Sequence, residues 1–267
     1  MSVRDELGDR MKAYYEAVPK IKLYRKIPVA IRLDMRAGHS FTRGFKKPFD
    51  DVLIKSMQDT TKYLCEHIQG CVFGYTQSDE ITLILQDYKT LTTDAWLDYE
   101  VQKICSISAS MATLAFDKSF RHFAGEYIYN HLNSYSSDED NRKYIETLRS
   151  AVAKGGMFDA RCFNIPKEEV TNMIYWRQLD ATRNSIQMVG QANFSHGELQ
   201  NKSCNVIQEM LYTQKNINWN DFYIHYKRGT AVIKTEDGWF IDINMPELKG
   251  EDRNYVERFI YCEDGVK

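Results

Sequence analysis

Val29-Ala30-Ile31-Arg32-Leu33-Asp34-Met35-Arg36 and Phe73-Gly74-Tyr75-Thr76-Gln77-Ser78-Asp79-Glu80-Ile81-Thr82-Leu83-Ile84-Leu85 are the two stretches that decide the fold. Each combines the apolar pattern of a β-strand with a carboxylate at a strand end, and a segment with helical periodicity lies between them. If the strands are neighbours in one sheet, Asp34 and Asp79 meet at the same edge. Two adjacent carboxylates repel each other unless a cation lies between them, and carboxylate oxygens suit hard cations such as Mg²⁺. The sequence therefore predicts a candidate metal site at this edge.

Length and composition describe an ordinary globular protein. The chain has 267 residues, of which 43% are hydrophobic and 27% are charged. These values are typical of one large domain, or of a core with an appendage. No apolar run approaches the roughly 20 residues that a membrane span needs, and the start of the chain has no signal-peptide pattern. We therefore expect a cytoplasmic protein with no membrane partner.

Charge and cysteine content argue against several other classes of protein. The formal net charge is −2, so the overall charge does not indicate a nucleic-acid binder, and a polyanion would have to be held by local basic clusters. One such cluster, at residues 20–26, is equally compatible with a solvated turn. The six cysteines are scattered without a Cys-x-x-Cys pair, which argues against a structural zinc site and a disulfide scaffold.

Hydrophobic periodicity predicts the elements of the first 165 residues. In chain order we expect a helix over 3–18, a strand over 29–34, a loop over 36–48, a helix from Asp50 or Asp51 to Gly70, strands over 72–76 and 80–86 joined by a tight turn at Gln77-Ser78, a helix that begins at Thr93 or Asp94 and carries apolar positions from Leu97 to Leu114, and a strand over 160–165.

This order of elements predicts a ferredoxin-like β-α-β-β-α-β antiparallel sheet of the mixed α/β (α+β) class, with helices on one face. In that topology the end of the first strand and the turn between the second and third strands lie at one edge, which supports the pairing of Asp34 and Asp79. We divide the chain into a core, residues 1–165, and an extension packed on it, residues 166–267. The extension is predicted to have helices over 167–192 and 196–214 and a β-rich end. Within the core, the acidic stretch 136–141 is predicted to be an exposed insertion.

The predicted arrangement suits one kind of chemistry. Two carboxylates that hold Mg²⁺, beside a loop with Arg36, His39 and Lys47, are typical of two-metal nucleotidyl transfer. The cations neutralise the charge that moves onto the leaving pyrophosphate. Simpler explanations stay open for the residues taken alone, because an Asp-Glu pair in a hairpin is often a solvated turn, and a lone histidine is more often a packed or surface residue than a ligand.

Six motifs follow one another along the chain: Arg32-Leu33-Asp34-Met35-Arg36-Ala37-Gly38-His39-Ser40-Phe41, Lys47-Pro48, Tyr75-Thr76-Gln77-Ser78-Asp79-Glu80, Phe158-Asp159-Ala160-Arg161, Trp176-Arg177-Gln178-Leu179-Asp180, and Ile217-Asn218-Trp219-Asn220 with Lys227-Arg228-Gly229-Thr230. In this order they resemble R-I/L-D-G-R-x-F-H-x-F, K-P-x-D, Y-x-Q-S-D-E, F-D-G-R, W-R-Q-x-D, and I-N-Y/W-N followed by R-K-G-T, of the tRNA-His guanylyltransferase family. The resemblance covers the chain from about residue 20 to 235 in consistent order, and six motifs together are a specific signal where one would be weak.

The resemblance implies a palm-like catalytic sheet related to that of polymerases, which adds nucleotides to the 5′ end of tRNA in the 3′-to-5′ direction. It implies two Mg²⁺ ions held by the catalytic pair Asp34 and Asp79 and by the backbone carbonyl of Met35, with ATP and GTP or another NTP as substrates, in a homotetramer. The positions that match nucleotide-binding residues are Arg32, Asp34, Met35, Arg36, Ala37, Gly38, His39, Lys47, Ser78, Asp79 and Glu80. The candidates for tRNA or triphosphate contacts are Arg161, Arg177, Asn184, Lys227 and Arg228, the last two being equally compatible with merely flanking a strand.

The chain also departs from the family pattern. Residues 182–187, Thr-Arg-Asn-Ser-Ile-Gln, stand where eukaryotic members have H-I-N-N-L-Y, so the histidine is missing. Met35 replaces a glycine of the motif, which reduces the backbone freedom there, and Gly38 replaces a phenylalanine that packs near the base. These features are similar to those of the bacterial, archaeal and phage guanylyltransferase-like branch and favour template-dependent repair of 5′-truncated tRNA.

Three alternatives to repair stay open from the sequence. The first is addition of a single G at position −1 of tRNA-His. The second is another palm-type nucleotidyltransferase, and the third is a non-catalytic RNA-binding module. The strands lack the aromatic pattern that RNA-recognition sheets display, which disfavours the third.

Overall fold

A six-stranded antiparallel sheet forms the centre of the protein in the computed structural model, which describes residues 6–90, 92–135 and 138–261. Its strands are β1 (Val29–Met35), β2 (Cys71–Gln77), β3 (Glu80–Leu85), β4 (Phe158–Asn164), β5 (Thr230–Thr235) and β6 (Gly238–Asp242). They lie in the order β4-β1-β3-β2-β5-β6. The order β4-β1-β3-β2 is that of a ferredoxin-like unit and confirms the predicted sheet. Strands β5 and β6 of the extension continue the sheet beside β2.

The described residues form ten α-helices: α1 (Glu6–Met11), α2 (Gly38–Phe41), α3 (Asp51–His67), α4 (Val101–His131), α5 (Glu139–Lys154), α6 (Lys167–Asn193), α7 (His196–Leu199), α8 (Cys204–Lys215), α9 (Ile224–Arg228) and α10 (Asn254–Ile260). None of the helices in these ranges is long and apolar enough to cross a membrane.

The two faces of the sheet have different cores. Residues 29, 31, 33 and 35 of β1 belong to a core that α3, α4 and α5 complete. Ala30 faces the opposite side, where α6 and α10 cover the sheet. Because side chains alternate along a strand, Arg32 and Asp34 share the face of Ala30. The extension therefore supplies the second layer of helices, and β1 carries its two charged side chains on that side.

The tight turn between β2 and β3 is confirmed, with its position shifted by one residue. Gln77 pairs with Glu80 as the last residue of β2, so Ser78 and Asp79 form the turn. Ser78 has a φ of 51°, in the left-handed region that the first residue of such turns adopts. Asp79 thus lies at the tip of the hairpin rather than inside a strand.

The predicted start of the long helix at Thr93 or Asp94 was wrong. Helix α4 begins at Val101, and Leu97, which was assigned to its apolar face, precedes it in a 3₁₀ turn. Residues 97–99 have φ values of 51–53°, which interrupts a right-handed helix. Backbone bonds from Leu23 to Tyr99 and from Val101 to Ile21 hold this segment against the N-terminal part of the chain instead.

The acidic stretch predicted as an exposed insertion also differs. Residues 136 and 137 lie outside the described residues, but Asp138 is the N-cap of α5, where its side chain accepts from the backbone of Asn141. Acidic residues at a helix start are favoured by the helix dipole. The buried positions of α5 are Asn141, Tyr144, Ile145, Leu148 and Ala151. The prediction lacks this helix because the acidic residues of its first turn are also typical of a loop.

Two further helix predictions are corrected in part. The helix predicted over 196–214 is divided into α7 and α8, because Asn201 has a φ of 60° and Ser203 caps a new helix. The helix predicted over 3–18 is present from Glu6 to Glu16 as α1 and a π-helical turn, and residues 3–5 lie outside the described part. The helix predicted over 167–192 is confirmed as α6.

Candidate active site

Asp34 and Asp79 lie at the same end of the sheet. Asp34 is one residue before the end of β1, where it is in register with Glu80 of β3. The next residue, Met35, donates its backbone N–H to the backbone carbonyl of Asp79 at 3.1 Å. This bond joins the end of β1 to the tip of the hairpin and places the two aspartates beside each other.

Both carboxyls lie in surroundings that disfavour their ionised forms. Burial raises the pKa of Asp34 above its ordinary value, and the negative charges of Asp79, Glu80 and Asp159 raise it further. Burial likewise raises the pKa of Asp79, although Ser78, whose hydroxyl donates to Oδ1 at 3.0 Å, acts in the opposite direction. Partly desolvated carboxylates that repel each other gain from a cation between them.

The protein oxygens at this end of the sheet are too few to coordinate a metal ion by themselves, and such an incomplete set fits Mg²⁺. Within the described ranges, no group of three or more His, Cys, Asp or Glu side chains could hold a metal. Mg²⁺ is commonly bound by only one or two carboxylates, with water and substrate phosphates as its other ligands. Asp34, Asp79 and the carbonyl of Met35 offer such an incomplete set.

Gly38 packs directly against the carboxylate of Asp79. A Cβ added to Gly38 would lie 1.8 Å from Oδ2 of Asp79 and 2.9 Å from its Cγ. The preceding Ala37 has a left-handed φ of 55°, and Phe41 anchors the turn by packing against Phe116 and Phe120. A larger residue at position 38 would therefore displace the carboxylate of Asp79 in this chain.

A cavity of about 490 Å³ opens beside the aspartates, a size typical of small-molecule sites. It lies between the 36–49 loop, the start of α3, the middle of α6 and the start of β5. Three lysine or arginine residues of the loop line it, namely Arg43, Lys46 and Lys47. The predicted site residues in its lining are Gly38, His39, Lys47, Ser78, Asp79 and Asn184.

Other predicted site residues lie on the α6 side of the sheet, outside this lining. Glu80 forms ion pairs with Arg32, at 3.4 Å, and with Arg177, which also pairs with Asp180 at 3.0 Å. Arg161, the register partner of Arg32, pairs with Asp159 at 3.4 Å. Arg36 has an exposed side chain at the end of β1. Most of the positions predicted for nucleotide and RNA contacts therefore form two groups, one in the lining of the cavity and one paired with Glu80 and Asp159 outside it.

Lys227 and Arg228 make their contacts within the fold. Lys227 is only 6% exposed, its ammonium donates to the carbonyl of Asn220, and burial lowers its pKa. Arg228 pairs with Glu247 at 3.5 Å, and its carbonyl accepts from the hydroxyl of Tyr75. The sequence left two roles open for these residues, contact with RNA or triphosphate and a place beside a strand. These contacts favour the place beside β5.

Several cavity residues escaped prediction from the sequence. They come from α3, α6 and α9, which meet only in the folded chain: Met57, Gln58, Met188, Gln191, His225 and Tyr226. Helical spacing marks such positions as core, so periodicity gave no signal for them. Tyr226 stacks on Phe49 at 4.7 Å and donates to Asp51, which ties α9 to the entrance of α3.

Comparison with known proteins identifies the family and the fold of the chain. The family model for tRNAHis guanylyltransferase matches residues 8–166. A bacterial tRNA(His) guanylyltransferase-like protein solved in complex with ATP has a TM-score of 0.81 and 39% identity, over 97% of this chain and 100% of that one. A structure of such a protein in complex with GTP has a TM-score of 0.74 and 36% identity, over 96% and 100% of the two chains. The tRNA(His) guanylyltransferase of Saccharomyces cerevisiae is 22% identical over 81% of this chain and 86% of its own length.

The palm-like sheet with an acidic pair at one end defines a nucleotidyltransferase. The chain belongs to the tRNAHis guanylyltransferase family.

Proposed function

We propose that this protein adds nucleotides to the 5′ end of tRNA in the 3′-to-5′ direction, and that its task is template-dependent repair of 5′-truncated tRNA. The observation that carries the proposal is the position of Asp34 and Asp79, between a cavity of nucleotide size and an arginine-rich surface on the other side. Such a site can receive a nucleoside triphosphate and an RNA end together. The two bacterial structures, solved with ATP and with GTP, support these nucleotides as the substrates.

The proposed reaction has two steps. An oxygen of the tRNA 5′-monophosphate attacks the α-phosphorus of ATP and releases pyrophosphate, which leaves an adenylylated 5′ end. The 3′-hydroxyl of the incoming NTP then attacks the 5′-phosphorus, and AMP leaves. A 5′-triphosphorylated tRNA can omit the first step, since pyrophosphate is then the leaving group.

The acidic pair and the cavity residues divide these tasks. Asp34, Asp79 and the carbonyl of Met35 would hold two Mg²⁺ ions, which supply charge neutralisation and activation of the attacking hydroxyl. Lys47 and Arg43 of the loop would neutralise the triphosphate, whereas the ammonium of Lys46 donates to the hydroxyl of Tyr127 instead. Gly38 lies against the carboxylate of Asp79, and the hydroxyl of Ser78 donates to that carboxylate and orients it.

The departures from the eukaryotic motif support repair over the addition of one G to tRNA-His. The histidine of H-I-N-N-L-Y is absent, and Thr182 stands in its place. Gly38 brings no aromatic ring of its own to the nucleotide. Selection of the incoming nucleotide by pairing with a template base needs no such ring. We also propose that the protein works in the cytoplasm.

The test uses a tRNA that lacks its 5′-terminal nucleotide and carries ³²P in its 5′-monophosphate. The RNA is incubated with enzyme, Mg²⁺, ATP and each NTP in turn. Extension only by the nucleotide complementary to the opposing base is expected for repair. Addition of G alone, and only to tRNA-His, would assign the protein to single-nucleotide guanylylation instead. No extension of any tRNA would contradict both.

A matched control separates the acidic pair from ordinary turn residues. Asp79 is the second residue of the β2–β3 turn, and Asp237 is the second residue of the β5–β6 turn, where it is exposed. Asp79→Asn is expected to abolish extension, and Asp237→Asn to leave it unchanged. Chelation of Mg²⁺ by EDTA should stop extension as well, and added Mg²⁺ should restore it.

We further propose that the protein assembles as a homotetramer. The support lies in α1 and the following π-helical turn, in which no residue is buried. Leu7, Tyr14, Tyr15 and Val18 are each more than 60% exposed. A short helix without a packed face is only marginally stable in water. Packing against a second copy of the chain would bury the apolar side chains of this segment and stabilise it.

A further inference from the structure

Trp176 is unusual among the described tryptophans because half of its surface is open to solvent. It is 50% exposed, whereas Trp96 and Trp219 are 9% and 6% exposed. Two guanidinium groups lie close to its ring, Arg177 at 4.7 Å and Arg32 at 5.4 Å from the ring centroid. Such contacts fix the orientation of the indole while part of it stays accessible.

Two further arginines extend this region: Arg161 is the register partner of Arg32, and Arg183 pairs with Asp180, which also pairs with Arg177. Together these residues form what we term the tryptophan–arginine surface: Arg32, Arg161, Trp176, Arg177 and Arg183. Three carboxylates, those of Glu80, Asp159 and Asp180, pair with the four arginines. The side chains of Arg161 and Arg183 are 58% and 63% exposed and keep donors free for a ligand. The surface thus combines an open aromatic ring with accessible cations.

This surface and the cavity lie on opposite sides of the aspartates. The strand residues that line the cavity come from β2 and β5, and none in the described part of the chain comes from β1 or β4. The tryptophan–arginine surface, in contrast, combines Arg32 of β1 and Arg161 of β4 with the part of α6 that carries Trp176. Arg32 and Asp34 are two residues apart on one face of β1, a separation of roughly 7 Å along the strand. A molecule on this surface would therefore reach Asp34 from the side that the cavity does not occupy.

We propose that the tryptophan–arginine surface binds the unpaired acceptor end of the RNA substrate, with a nucleobase stacked on Trp176 and the adjoining phosphates near Arg161 and Arg183. This inference rests on the proposed function and adds to it the place of the RNA end. Single-stranded RNA is held by base stacking on aromatic rings and by cations along its backbone. The surface offers both, and a triphosphate in the cavity would meet the RNA end at Asp34 and Asp79.

The kinetic test uses 5′-triphosphorylated, 5′-truncated tRNA, so that no activating ATP is needed. Trp176→Ala is expected to raise KM for this tRNA about tenfold or more, the loss that removal of one stacked base produces. KM for GTP should stay unchanged, because Trp176 is not part of the cavity. Trp176→Phe keeps a stacking ring and should recover most of the affinity. Phe240→Ala serves as the matched control, since Phe240 is 55% exposed on the strand at the opposite edge of the sheet.

Two results would overturn the proposal. If Trp176→Ala impairs only the 5′-monophosphorylated substrate and raises KM for ATP, the surface holds the activating nucleotide instead of RNA. If Trp176→Ala folds, as judged by its Tm, and leaves every KM within twofold of the wild type, the surface takes no part in binding.

A binding measurement separates this inference from the proposed activity. An acceptor-stem minihelix with an unpaired end is titrated into the wild-type protein, and tryptophan fluorescence is recorded. Quenching that Trp176→Phe removes is expected, and it supports the surface even if the wild type catalyses no extension. Full quenching in Trp176→Phe would place the RNA at another tryptophan and refute the inference.

Discussion

At the scale of single residues, the site holds two carboxylates that repel each other. Asp34 and Asp79 are held together by the bond from Met35 to Asp79, and the pKa of each is raised mainly by burial. A raised pKa means that ionisation of each group opposes folding, so its contribution to stability is lost as the pH rises through the folded-state pKa. The residues that make the site reactive thus weaken the apo protein at neutral pH.

Replacing one aspartate of the pair by asparagine is predicted to lower the activity without lowering the stability. Asp34→Asn should lower extension by about a hundredfold or more, because several kcal/mol of charge stabilisation by the ions is lost. The Tm in the absence of Mg²⁺ should stay the same or rise, since a repelling charge is gone. Thermal melts at pH 7 with EDTA, next to extension assays with Mg²⁺, check both results. A strongly lowered Tm would mean that Asp34 supports the fold instead.

Gly38 provides the second prediction at this scale. In Gly38→Ala the new methyl group overlaps Oδ2 of Asp79, so the carboxylate must rotate away from its place beside Asp34. Activity should therefore fall more than stability does. Gly125→Ala in α4 is the matched control, because a Cβ there meets nothing within 4 Å and should stabilise the helix by about 0.5–1 kcal/mol. Equal activity of the two variants would show that Asp79 has freedom to adapt.

At the scale of elements, caps show why some boundaries were predictable. Asp50 or Asp51 was expected to start a helix, and Asp50 is the N-cap of α3. The same residue type caps α5 at Asp138, but there the surrounding acidic residues were interpreted as loop. The start of α4 was missed for another reason, since Tyr99 and Val101 bond to the N-terminal segment, a long-range contact that local pattern cannot contain.

The two aspartate caps are predicted to differ in importance. Asp50 is 5% exposed and accepts from the backbones of Leu53 and Lys46 and from the hydroxyl of Tyr144. Asp50→Ala should lower the free energy of unfolding by about 2–4 kcal/mol, because buried donors lose their partner. Asp138→Ala, at an exposed cap, should cost about 1 kcal/mol. Urea unfolding of both variants measures the difference, and equal losses would argue against the central role of Asp50.

At the scale of the whole molecule, the sequence predicted the sheet and the acidic pair better than the cavity. Strand alternation and the motif order were sufficient for β1 to β4 and for Asp34 and Asp79. The cavity also needs α6 and α9, and its members Met188 and Tyr226 carry no mark that distinguishes them from packed helix residues. Their role follows from how the extension folds back over the second face of the sheet, which no local pattern encodes.

The N-terminal segment raises the last question, which concerns assembly. Its apolar side chains follow helical spacing, yet residues 6–16 bury none of them against the rest of the described chain. Burial of apolar area is the main source of helix stability in proteins, so this segment gains most if another copy covers it. Exposed tyrosines are also typical of interfaces.

Tyr15→Asp is therefore predicted to reduce the assembled mass, because a charge would be buried at the contact. Light scattering coupled to size exclusion should give about four times the mass of one chain for the wild type and a smaller species for the variant. Tyr212→Asp is the matched control, since Tyr212 on α8 is 64% exposed and Tyr15 is 65% exposed. It should leave the mass unchanged. If Tyr15→Asp keeps the wild-type mass, the N-terminal helix lies outside the contact and the assembly must use another face of the molecule.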